Sequence, residues 1–487
     1  MKSVTTGRKV IGLSFLSSYI NLAIQFVSVM VLARVLSPSE VGTFSLAAML
    51  MAMLHVFRDF GVANYVIQEP DLTREKLGAA MGVAILLALA VAAVMYLLAW
   101  PVSNFYDNPP LHDVIVVMAA SFAISPFGSV ISAVLRREAR IKHLFYVRTA
   151  GSLFQVGVSI AMATAGWGAI SLAWGNFAGI LGFGIVANLF RPKDMPRLPH
   201  FRNIGSILSF GGVNSLGNLA NIAGASVPEM VVGKVMSVAA VGYFSRATGL
   251  VQLFTRLIGN ALTPLVLPYY AEVRRNGQSL DKPYLMSVTQ LTAVAWPFFA
   301  VLLVLAYPVT RALYGHQWDA SVPVARLLCL GGAIAAVGMF ASQAMIASGN
   351  VRSATLNNLI AQPIRIVAVL AASVHGLMMV AAALVVSECV AMACTCWFLR
   401  RTIGVHAGAI ARACAKSVVI MACALVVPLM VWLGGADTTS HVWIAVLLGG
   451  AGAAVGWIAG LALTRHPLGE HVLPLLRLPL RRGSAKD

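Results

Sequence analysis

Acidic side chains are scarce in this chain: 17 Asp and Glu stand among 487 residues, and all charged types together make up 11%. A soluble domain carries about 25% charged residues, so an ordinary water-facing surface is excluded. Cysteine is sparse too, at six. Cys329, Cys389, Cys394, Cys396 and Cys423 lie inside apolar runs and Cys414 opens one, which excludes a disulfide framework. The triplet Cys394-Thr395-Cys396 lacks further His or Cys at ligand spacing, so no metal is expected. A Gly-rich phosphate loop ending in Lys-Ser/Thr is missing, as is a Ser/His/Asp constellation. His112, His316 and His441 stand singly between apolar runs. Neither an enzyme's apparatus nor a cofactor is expected.

What the chain has in abundance is apolar sequence: 59% hydrophobic residues, with a mean hydropathy of +0.83. A helix crosses a bilayer with about 20 apolar residues, and the continuous runs yield about fourteen such segments. The first, near 10–33, is as long as a span and lacks a small-residue cleavage site, so it reads as a span and not a leader. The runs do not alternate, which argues against a barrel. The expected class is an all-α integral membrane protein.

Net charge is +18, and the placement of the cations explains it. With a cytoplasmic N-terminus, 28 of the 35 Lys and Arg fall on the cytoplasmic side and four (Arg34, Lys234, Arg311, Arg326) on the other. That asymmetry is the positive-inside bias. It predicts N-in/C-in topology and removes the need for a nucleic-acid partner. The longest segments on the far side, 100–112 and 307–320, are read as loops too small for a catalytic domain.

The chain also repeats itself. VLARVLSPSEVGTFSLAAML (31–50) returns as VVGKVMSVAAVGYFSRATGL (231–250), with nine of twenty positions identical at an offset of 200. Leu46 becomes Arg246. Near an offset of 210, RIKHLFYVRTAGSLFQ (140–155) lines up with NVRSATLNNLIAQPIR (350–365). Six spans per copy is an even number, so both copies point the same way, as in parallel-repeat transporters. The expected organisation is a six-helix bundle at 1–190, a basic cytoplasmic linker at 191–203 and a second six-helix bundle at 204–400. Two additional spans at 401–464 and a basic cytoplasmic tail at 465–487 complete it.

Polar residues inside spans are costly, so their positions are informative. Ser14, Ser18, Asn21, Gln25 and Ser28 share one helical face, and Asn214, Asn218 and Asn221 repeat it. Arg246, Arg256, Asn260 and Thr263 share another, Arg148 and Gln155 a third, and Asn358, Gln362 and Arg365 a fourth. Two readings stay open for these faces: helix–helix glue with snorkelling arginines, or a cation-lined cavity for an anionic substrate. On the second reading the candidate contacts are Arg246, Arg256, Asn260, Arg365, Gln362, Asn21, Gln25, Asn214, Asn218, Arg148 and Arg58. Glu388, Glu229 and Asp59 are candidate ion-coupling sites or structural ion-pair partners. Arginines outnumber acids in the spans, which favours a phosphate ester.

These features resemble a family. A basic start leads into ARVLSPSEVG (33–42), then FRDFGVANYVIQ (57–68), GWGAISLAWG (166–175) and the two-fold repeat with two added spans. The chain is similar to the Wzx-type polysaccharide flippases of the multidrug/oligosaccharidyl-lipid/polysaccharide (MOP) exporter superfamily, in the branch of the colanic acid and teichuronic acid exporters. The resemblance implies a flippase for undecaprenyl-diphosphate-linked oligosaccharide in a bacterial inner membrane, serving exopolysaccharide, O-antigen or capsule synthesis. It implies alternating access around a cationic cavity, a monomeric transport unit, membrane lipids as surroundings, and polymerase or chain-length machinery as partners. The alternatives are a multidrug/cation antiporter of the same superfamily, which calls for more intramembrane carboxylates than arginines, and a membrane polymerase or ligase, which calls for a large outer loop.

Overall fold

The computed structural model describes residues 2–59, 61–192, 195–196, 199–200, 222–435 and 441–477, with the side chains of 2–18, Asp59, Asn260 and scattered positions after 470 outside that description. Among the described residues every regular element is helical. Contacts divide the chain into two compact units, Met1–Ser245 and Arg246–Asp487.

The first unit contains α1 (Lys2–Val35), α2 (Pro38–Asp59), the short α3 (Val62–Gln68), α4 (Arg74–Phe105), α5 (Pro109–Ile124), α6 (Pro126–Arg137), α7 (Ile141–Thr164) and α8 (Ile170–Leu189). Helical residues 222–235, here α9, and the start of α10 (Val238–Phe254) complete it. The sequence explains where α2 begins. In Ser37-Pro38-Ser39-Glu40, Ser37 Oγ accepts from the Glu40 amide at 3.3 Å and Glu40 Oε2 accepts from the Ser37 amide at 2.7 Å. This is a capping box, with Pro at the first helical position where its missing N–H costs nothing. The second copy keeps half of it: Ser237 Oγ accepts from the Ala240 amide at 3.1 Å, and alanine replaces the returning glutamate.

By contacts, the compact first unit runs through 191–203 and on to Ser245. Local packing accounts for this. His200 N–H donates to the Gly78 carbonyl at 3.0 Å, and Met195, 3% exposed, joins the apolar core under α4 and α6, so this part of the linker is strapped down. Tyr106 Oη donates to the Met230 carbonyl at 3.2 Å, and Lys234 Nζ to the Phe105 carbonyl at the C-terminal end of α4. A cation there also suits the negative end of the helix dipole. α10 meets α2 at two glycines. A Cβ on Gly42 would run into the Val238 carbonyl oxygen, and one on Gly242 into the Pro38 carbonyl oxygen.

The second unit holds the rest of α10, a π-helical turn (Thr255–Gly259), α11 (Asn260–Arg275), α12 (Asp281–Val304), α13 (Ala306–Tyr314) and a 3₁₀ turn (His316–Ser321). α14 (Val322–Val337), α15 (Ala341–Ala347), α16 (Val351–Ser373), α17 (Leu377–Ile403), α18 (Ala407–Leu433), α19 (Val442–Leu463) and α20 (Pro467–Arg477) follow. The segment 307–320, read from the sequence as a loop, is mostly helix. Arg311 Nη2 and Nε donate to both carboxylate oxygens of Asp319, the shortest at 2.6 Å, and Trp318 is wholly buried.

Nine helices are long and apolar enough to cross a membrane among the described residues, and eleven if two bent pairs each count as one span. The chain is a multi-pass membrane protein. One bent pair is α5 with α6, broken by 47° at Ser125-Pro126; the other bends by 46° where the π turn meets α11. α7 stays outside this count and carries Lys142 and Arg148 in its first half; within α1 the apolar stretch is Tyr19–Val35.

Candidate functional site

Arg246, the cation that replaces Leu46 in the repeat, lies beside two aromatic rings that pack edge-to-face, 6.4 Å apart. Its Cζ is 5.5 Å from the Tyr314 ring centroid and 5.1 Å from that of Trp318. Both rings come from the segment 306–321 that the sequence reads as a loop. Gly315, with φ of 98°, turns the chain between α13 and the 3₁₀ turn so that two aromatics four residues apart face one cation. Arg246 Nε is shut off from solvent and makes no hydrogen bond. Cation–π contacts give about 0.5–2 kcal/mol each, while removing an ion from water costs several kcal/mol. The aromatic cradle therefore offsets only part of the cost, and an anion would offset the rest. Burial raises the Tyr314 phenol pKa, while the charges of Arg246 and Arg256 pull it down, so both guanidiniums act on the same ring. Arg256 sits in the π turn, exposed, with its Nη2 donating to Gln252 Oε1 at 3.3 Å.

A second polar site lies among α14 to α17. Arg365 Nη1 approaches Glu388 Oε1 at 3.5 Å, with the two side chains 31% and 26% exposed. They line a cavity of about 180 Å³ with Ser342, Asn357, Asn358, Gln362, Ser387 and Thr395. Asn357 and Thr395 bind each other across α16 and α17 at 3.1 Å and 3.3 Å, which fixes one wall. Gln362 Oε1 and Arg365 Nε are buried atoms without hydrogen-bond partners.

In the first unit Asn21 works between helices. Ser152 Oγ donates to Asn21 Oδ1 at 2.8 Å, and Asn21 Nδ2 to Thr149 Oγ1 at 3.4 Å, joining α1 to α7. Gln25 is exposed one turn further on, and Arg148 is exposed on α7 one turn before Ser152. Arg58 packs with its Cζ 5.9 Å from the Phe122 ring centroid, beside a small cavity that Ser125 and Ser129 also line. Glu229 is half-buried on α9. Asn214 and Asn218 lie outside the described residues, as do the side chains of Ser14, Ser18, Asp59 and Asn260.

Of the residues singled out by sequence, Arg365, Gln362 and Glu388 share one cavity with Asn358, while Arg246 lies beside Tyr314 and Arg256 bonds to Gln252. Sequence reasoning missed Tyr314 and Trp318. The signal is present as aromatics at an i, i+4 spacing around a glycine, within a segment that the sequence reads as a loop.

A family model described as polysaccharide biosynthesis protein matches residues 31–323. The lipopolysaccharide biosynthesis protein WzxC of Escherichia coli (strain K12) is 20% identical over 334 residues, 67% of this chain and 66% of that one. The succinoglycan biosynthesis transport protein ExoT of Rhizobium meliloti (strain 1021) is 23% identical over 329 residues, 66% of each chain. The match thus spans just under two thirds of the length of these relatives. Among solved structures, the lipid II flippase MurJ in an inward closed conformation superposes with a TM-score of 0.73 over 92% of this chain and 99% of that chain, at 14% identity. At that identity the likeness is one of fold.

Proposed function

Because the chain belongs to the polysaccharide biosynthesis protein family, we propose that it is a flippase. Its cargo is an oligosaccharide carried on undecaprenyl diphosphate, moved from the inner to the outer leaflet of the bacterial inner membrane by alternating access. The observation that carries the reading is Arg246: a half-buried cation beside Tyr314 and Trp318, with its buried Nε unbonded. A diphosphate supplies the charge and acceptors such a group lacks, and a planar guanidinium matches phosphate oxygens in pairs. Arg256 adds a second cation whose charge is felt at Tyr314. No covalent step is required; the protein supplies a polar path through a medium that excludes one. On this reading Glu388, Glu229 and Asp59 are the candidates for coupling transport to an ion.

The test uses a strain lacking this gene. Lipid-linked oligosaccharide is extracted, and its leaflet is probed with an impermeant lectin on spheroplasts. Repeat units that accumulate shielded from the lectin support a flippase. Units that accumulate exposed on the outside identify a polymerase or ligase, and an absence of accumulation points to efflux of another compound.

A further inference from the structure

We propose that the cavity lined by Asn358, Gln362 and Arg365 of α16 and Glu388 of α17 binds an uncharged sugar ring of the cargo, and so helps to choose the glycan. This inference rests on the flippase reading and goes beyond it, because that reading concerns the diphosphate.

Charge is the first argument. Arg365 and Glu388 stand 3.5 Å apart and neutralise each other. An anion entering here meets the carboxylate, and a cation meets the guanidinium. The site is polar without net charge, which suits a hydroxyl-bearing group. Geometry is the second argument. Asn358, Gln362 and Arg365 are spaced four and three residues apart, so they form one stripe on α16. Side-chain amides present a donor and an acceptor on one plane, and guanidinium and carboxylate add more of each. Vicinal sugar hydroxyls need that mixture, since each both donates and accepts. Unused capacity is the third argument. Gln362 Oε1 is a buried acceptor and Arg365 Nε a buried donor, and neither has a partner. A buried donor or acceptor left without a partner is destabilising, so an occupant that satisfies both is favoured. Size is the fourth. About 180 Å³ is below the ~300–1,000 Å³ of pockets for drug-sized ligands, and fits one ring and not a chain. Ala361, Ala391 and Met392 supply an apolar wall for its C–H face.

A site built to bond hydroxyls discriminates strongly, because a cargo lacking one leaves a buried polar group unpaired. The experiment compares two probes on the purified full chain in detergent: lipid-linked oligosaccharide extracted from the producing strain, and bare undecaprenyl diphosphate. Affinity is read by native mass spectrometry. Gln362→Leu and, independently, Asn358→Ala are expected to weaken binding of the glycosylated lipid about tenfold, the effect of one lost hydrogen bond, and to leave the bare lipid unchanged. Equal loss on both probes would make the cavity part of the diphosphate site and overturn the inference, as would no loss on either by two folded variants. If the wild-type protein binds neither probe, the flippase reading itself fails and this inference with it.

Discussion

Ser45 Oγ donates to Ser245 Oγ at 3.1 Å, although two hundred residues separate them. They are the same position in the two copies of the repeat. The glycines three residues earlier, Gly42 and Gly242, each lie under a carbonyl of the other copy's helix start, at Val238 and Pro38. Reciprocal contacts between repeat mates define a local two-fold relation between α2 and the start of α10. The repeat therefore conserves the residues that let its copies touch, as well as a span pattern.

That relation is sensitive to one methyl group. Gly242→Ala places a Cβ against the Pro38 backbone, which cannot swing aside as a flexible side chain would. Overpacking of this kind costs about 1–3 kcal/mol. The expected result is a lower midpoint for thermal loss of the monodisperse peak in detergent chromatography. Ser245→Ala, which removes only a hydroxyl pair, is expected to shift that midpoint by less.

Arg246→Ala is expected to abolish polymer export while the protein remains in the membrane at wild-type level. Arg246→Lys keeps the charge but loses the planar guanidinium that lies beside Tyr314 and Trp318, so it should restore only a minor part. Trp318→Ala should behave more severely in stability than in charge-dependent binding, because it also opens a buried cavity. Polymer yield and an immunoblot of the membrane fraction separate the two effects. Normal yield from Arg246→Ala would remove this residue from the substrate path.

Arg365 and Glu388 predict a non-additive pair. Each side chain keeps about a quarter to a third of its exposure, so breaking the pair should cost less than a fully buried one, about 1–2 kcal/mol. Arg365→Ala strands Glu388, and Glu388→Ala strands Arg365. The double variant strands neither and is expected to be more stable than the sum of the singles predicts. Additive shifts in a thermal double-mutant cycle would show that the 3.5 Å approach carries no coupling.

His466 gives a pH dependence. It lies between α19 and α20, 1% exposed, with Nδ1 accepting the Leu468 amide at 3.2 Å. Burial, then the charge of Lys416, holds its pKa below the ordinary value of 6.5. The unfolded chain therefore binds a proton before the folded one does. Its contribution to stability is present above pH 6.5 and is lost as pH falls through that value toward the lowered one. The melting midpoint of the wild-type protein is expected to fall between pH 7 and 5 more steeply than that of His466→Asn. Parallel curves would dismiss the effect.

The sequence alone determined the multi-pass helical class, because bilayer-length apolar runs leave the backbone no other way to satisfy itself in lipid. It located the repeat by the identity of residues 31–50 and 231–250. The start of α2 is likewise a local matter, since Ser37 and Glu40 cap that helix three residues apart. The sequence also placed Asn358, Gln362 and Arg365 on one face, because helical spacing is local. What tertiary structure decided is which distant groups meet. No spacing rule pairs Arg365 of α16 with Glu388 of α17, or brings Tyr314 and Trp318 to Arg246. Nor does composition show that Met195 and the His200 backbone are held by α4 and its neighbours. Hydropathy and periodicity measure each segment against its solvent; ion pairs, aromatic cradles and unit boundaries depend on how separate segments pack against one another.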